Sequence, residues 1–136
     1  MNERLFAPGF RLSAFDVLIL VGGTGAAIAL ATVHLWTGLA VGFVVAHFFL
    51  FCNVLRMSRR LELIWAAVFT ALAVGAGLAW LSWKFVFPIS LAVTLVLAVT
   101  ELRLPSYHGV GWKRINPRLP EWWESTTNNP HSSRGN

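Results

Sequence analysis

Residues 38–83 read GLAVGFVVAHFFLFCNVLRMSRRLELIWAAVFTALAVGAGLAWLSW, two long apolar runs joined by the basic hinge Arg56-Met57-Ser58-Arg59-Arg60-Leu61-Glu62. Before its closing arginine the first run, 38–56, is broken only by His47, Cys52 and Asn53; the second, 61–83, carries Glu62 as its one charged residue. At about 1.5 Å per residue, runs of this length match a hydrocarbon core of about 30 Å. Cytoplasmic loops of membrane proteins gather Lys and Arg, so the hinge belongs in the cytoplasm. That assignment orients the rest of the chain.

Two further runs flank this pair. Residues 16–36 are apolar with Gly22, Gly23 and Gly25 near the middle, and residues 85–102 are apolar with Pro88 in the first turns, where proline is tolerated. Thr37-Gly38 leaves room only for a tight turn, which makes the first two spans antiparallel neighbours. The expected fold is an all-α integral membrane protein with four transmembrane helices (16–36, 38–56, 61–83, 85–102) in an antiparallel bundle. Residues 1–14 form an N-terminal flank and 15–102 the bundle. The aromatic and basic tail at 103–124 should lie on the membrane surface, where tryptophan and the Lys113-Arg114 pair favour headgroups, and 125–136 should be disordered. A cleaved signal peptide ending near Ala29-Leu30-Ala31 is the rival reading of the first run; Asp16 at its start and the second span close behind it argue otherwise.

Composition points the same way. The 136 residues are 56% hydrophobic and 12% charged, too apolar to hide in one soluble core. The formal net charge of +5 does not indicate nucleic acid, because the basic residues sit at span ends and in the tail. With both termini cytoplasmic, ten of the eleven basic residues fall inside, and only Lys84 falls outside. Trp36, Trp80 and Trp83 then mark the outer interface and Trp65 the inner one. The expected location is the cell membrane, of bacterial inner-membrane type.

Helical periodicity gives each span a small or polar seam. The seams are Asp16, Gly23, Ala27 and His34; then Gly38, Gly42, Ala46, Phe49, Asn53 and Arg56; then Glu62, Ala66, Phe69 and Ala73; then Ser90, Thr94 and Glu101. Folding them inward brings Asp16, Asn53, Arg56, Glu62 and Glu101 to the cytoplasmic rim, with Arg56 expected to pair with Glu62 or Glu101. Such a rim is either a proton or cation site or a ring of ion pairs and helix caps; depth near the interface favours the caps.

His47 stands at mid-span, opposite the Gly38–Asn53 stripe, and is read as facing outward among Ala40, Phe43, Val44 and Phe51. It is the one candidate cofactor ligand, for haem or a pigment, and otherwise a packing or interface residue. His34 is too near the outer surface to complete a bis-histidine site. The single Cys52 excludes a cysteine metal cluster and an intrachain disulfide, and no phosphate-loop, zincin or nucleophile-elbow motif occurs. No cofactor and no metal is therefore expected.

In size and span number the chain is similar to small four-span multidrug exporters. Those depend on a glutamate embedded in the first span, where this chain has only Asp16 at the edge. The expected function is a non-enzymatic accessory or assembly subunit of a membrane complex, with the bilayer and other membrane subunits or itself as partners. The alternatives are a small ion-coupled carrier or channel, and a haem- or pigment-binding subunit through His47.

Overall fold

The computed structural model describes residues 6–128. Arg4, His131, Arg134 and the 129–136 part of the expected disordered terminus lie outside the described residues. Among the described residues the chain is helical and has no strand: α1 (Ala14–Val33), α2 (Leu35–Phe49), a π-helical continuation of α2 (Leu50–Leu55), α3 (Arg59–Gly77), α4 (Trp83–Leu102), and the short α5 (Trp112–Ile115) and α6 (Leu119–Asn128). Four helices, with α2 taken through to Leu55, are long and apolar enough to cross a membrane.

Local chemistry sets their ends, and it moves several of the expected boundaries. α1 starts before Asp16 because Ser13 caps it. The Ser13 Oγ accepts the Asp16 N–H at 3.2 Å while Asp16 Oδ2 accepts the Ser13 N–H and Oγ–H, both at 2.7 Å, a reciprocal capping box. The first turn-back comes at His34 rather than at Thr37-Gly38. His34 alone is extended, and it closes α1 while opening α2.

α3 stops at Gly77 instead of running to Trp83. The Trp80 N–H bonds to the Gly75 carbonyl at 2.9 Å and the Ala79 N–H to that of Ala76 at 3.1 Å, while Ala79 is left-handed at φ 61°. This is a Schellman ending with alanine where glycine is usual. Hydropathy continues through Trp80 and Leu81, so the apolar pattern hid the break. Ser82 then caps α4, its Oγ accepting the Lys84 N–H at 3.4 Å.

α1 packs along α2 through small residues in opposite order. Gly23 meets Val45, Gly42 meets Ala27, and Gly38 lies so close to Ala31 that an added Cβ would sit 2.5 Å from the Ala31 Cα. The expected seam of α2 is therefore in use as a close-approach face. Ala46, expected on it, is exposed.

The other face of α2 meets α3 and α4. Phe51, Trp65, Phe69, Ala76, Val86 and Leu97 form the buried core, flanked by Phe43, and α1 buries no residue. Trp65, expected at the inner interface belt, is 4% exposed and stacks parallel to Phe69 at 5.2 Å. The inner face of α3 runs through Trp65, Phe69 and Ala76, while Ala66 is exposed.

Candidate functional site

The end of the molecule holding the start of α1, the end of α2, the start of α3 and the end of α4 is closed by a cap, and every candidate rim residue lies there. Its framework is the π-helical turn. One extra residue per turn leaves carbonyls without helical partners, and Arg56 ends the helix in a left-handed conformation at φ 49°. The tail supplies the missing donor: the Val110 N–H bonds to the Val54 carbonyl at 2.8 Å. Gly109 makes that approach, since a Cβ there would lie 2.5 Å from the Leu55 carbonyl oxygen.

The tail thus packs on the helix ends. Tyr107 is 1% exposed and its Oη–H donates to the Val110 carbonyl at 2.8 Å. Asn116 Nδ2 donates to the carbonyls of Pro105 at 2.6 Å and Tyr107 at 3.2 Å. Ser125–Asn128, expected to be disordered, continue α6; the Ser125 and Thr126 hydroxyls donate to the Trp122 carbonyl and the Thr127 hydroxyl to that of Trp123.

The N-terminal flank joins the cap. The Gly9 N–H bonds to the His108 carbonyl at 2.8 Å, and the Phe6 ring meets Trp112 and Trp123 edge-on at 5.8 and 5.6 Å.

Of the five rim residues, Asp16 and Asn53 are joined directly. With the Asn53 amide oriented to satisfy its neighbours, its nitrogen donates to the Arg11 carbonyl and to Asp16 Oδ2, the latter at 3.1 Å. The others have separate partners. Glu62 Oε1 accepts from the Cys52 thiol at 3.8 Å, and Glu101, 3% exposed, accepts from the Ser58 N–H and Oγ–H at 3.4 and 3.3 Å.

Arg56 does not pair with either glutamate. Its Nη1 donates to the Ala7 carbonyl. The left-handed turn at Arg56 carries its side chain out of the α2 helical register, so the seam geometry drawn from sequence does not extend to it. Burial, then the like charge of Arg11, lowers its pKa, yet an arginine stays protonated at any ordinary pH.

His47 departs furthest from expectation. It is 6% exposed, stacked on Trp65 at 4.6 Å and 14° and against Phe43 at 4.1 Å, with Phe51 edge-on at 5.6 Å. Its Nδ1 is 2.8 Å from the Phe43 carbonyl one turn back. A carbonyl only accepts, so Nδ1 carries the proton and Nε2 keeps its lone pair in the neutral ring.

His47 stands opposite the glycine stripe, as its helical spacing predicts, but that side faces α3 and α4 rather than outward. Beside it, Trp65 Nε1–H donates to Thr94 Oγ1 at 2.8 Å, and the Thr94 hydroxyl donates to the Ser90 carbonyl at 2.8 Å. The Ser90 Oγ is buried without a hydrogen-bond partner. An interface position for Trp65 conceals this α3–α4 link in the sequence; its spacing with Phe69 and Ala76, at i, i+4 and i+11, is the signal that carries it. Among the described residues no three His, Cys, Asp or Glu side chains converge as a metal site would need.

Comparison with known proteins finds no matching family model, no similar curated protein and no similar solved structure.

Proposed function

We propose that this chain is a non-enzymatic accessory or assembly subunit of a membrane complex, held in the cell membrane as four antiparallel spans with both termini in the cytoplasm. The observation that carries the reading is α1. It is a 20-residue apolar helix that buries no residue of its own and packs chiefly on α2 through its small face. Its other side offers Gly22 and Gly25, where an added Cβ would meet nothing within 4 Å. Small residues left open on a membrane helix suit close approach by another helix, from a different subunit or a second copy.

A carrier or channel has less support. Asp16, Glu62 and Glu101 each engage a local donor at one end of the helices, whereas a transport path needs polar groups in sequence across the bilayer. The haem or pigment reading rests on His47 Nε2 alone, and the ring is enclosed by aromatic side chains of this same chain.

The test is purification in mild detergent with co-purifying proteins identified. Gly22→Leu and Gly25→Leu should leave yield and helicity unchanged and lose the partner. Retention of every partner by both variants would refute docking through α1. A visible band removed by His47→Ala would move the assignment to a pigment or haem subunit.

A further inference from the structure

A pocket of about 370 Å³ opens beside the cap, lined by Gly9, Phe10, Val110, Trp112, Lys113 and Arg114. Its walls are anchored where the spans end. The Val110 N–H is on the Val54 carbonyl, the Gly9 N–H is on the His108 carbonyl, and Phe10 meets the Phe49 ring at 6.0 Å. In a membrane this is the plane where acyl chains give way to headgroups.

The surface is cationic and apolar at once. Lys113 and Arg114 are both exposed, the Lys113 Nζ lying 6.0 Å from the centre of the Trp112 ring. Immediately beside them Phe10 is 56%, Val110 43% and Ile115 45% exposed. Water would satisfy the cations and leave the apolar groups exposed, while acyl chains alone would do the reverse. An anionic phospholipid satisfies both.

We propose that this pocket binds the headgroup of an anionic phospholipid. Lys113 and Arg114 take the phosphate, and Phe10 and Val110 receive the glycerol and the upper acyl carbons. Both cations line this one pocket, so a phosphate seated in it has Lys113 and Arg114 within a single site, not across a diffuse basic rim. The inference rests on the membrane-spanning reading and is independent of whether the chain serves as a subunit.

The experiment uses the full-length protein in mild detergent, with phosphatidylglycerol or phosphatidylcholine added and bound lipid read by native mass spectrometry. Phosphatidylglycerol should be retained in preference to phosphatidylcholine. The double variant Lys113→Gln with Arg114→Gln should lose about 25-fold in that affinity, roughly five-fold for each charge removed near an anionic lipid surface. Arg59→Gln with Arg60→Gln, two exposed cations at the same end but outside the pocket, should lose far less. An equal loss in the two double variants would mean diffuse attraction and overturn the pocket. So would equal retention of phosphatidylcholine, or inorganic phosphate displacing the lipid at equal concentration.

Discussion

At the scale of single residues, burial decides roles that sequence position suggested only in part. Asp16 and Asn53 are legible in the sequence as members of one polar rim, and their direct bond is a finding of the structure. Arg56 was not, because its partner is a backbone carbonyl, and no side-chain pattern advertises a carbonyl. Tyr107 is the residue whose chemistry can be followed most cleanly, as the only tyrosine in the chain. Burial, and then the negative charge of Glu101, raises its phenol pKa above the usual value. The folded state therefore keeps its proton at pH values where the unfolded chain has lost it. By linkage, that contribution is fully present below the ordinary tyrosine pKa of about 10 and is lost as pH rises through the folded value. In mild detergent, tyrosinate absorbance should appear at higher pH than in the denatured protein, with thermal stability falling over that interval. Tyr107→Phe should remove that fall, and coincident titration of folded and denatured protein would contradict the burial argument.

At the scale of elements, hydropathy shows that a helix is present and backbone chemistry shows where it stops. The four apolar runs were readable because a spanning helix must be apolar on most of its surface. Their ends were misread by a few residues where apolar side chains continue past a break, as at 78–81. The Ser13 and Asp16 spacing was a readable cap signal that the apolar run obscured. Two substitutions of opposite sign probe these ends. Ala79→Gly relieves a left-handed alanine and should stabilise the α3 ending by about 1 kcal/mol. Gly38→Ala places a methyl against the Ala31 backbone, which no side-chain rotation can relieve, and should destabilise by about 1–3 kcal/mol. Denaturation in mixed micelles measures both; a Gly38→Ala protein as stable as the parent would show that α1 and α2 do not pack this closely.

At the scale of the whole molecule, α2 is the central helix. Its glycine stripe faces α1, its aromatic face meets α3 and α4, and its π-helical end seats the cap. This position explains why His47 could be placed on the correct side of α2 and still be assigned the wrong surroundings: periodicity gives the angle of a side chain about its helix, not what stands there. The cap also bears on topology by a route separate from charge. Residues of the N-terminal flank bond directly to the tail, through Gly9 to His108 and Phe6 to Trp112 and Trp123. Two segments in contact share one side of a membrane, which requires an even number of crossings between them. The excess of basic residues at that end is the ground on which the proposed topology puts it on the cytoplasmic side. We expect a phosphatase fused after Asn136 to be inactive and a fluorescent protein there to be bright. A fusion interrupting the chain at Trp80, which is 82% exposed at the opposite end, should give the reverse pattern. An active phosphatase at Asn136 with an inactive one at Trp80 would invert the whole orientation while leaving the cap intact. Opposite results at Asn136 and at the N-terminus would instead break the even count, and with it the contact between flank and tail on which the cap depends.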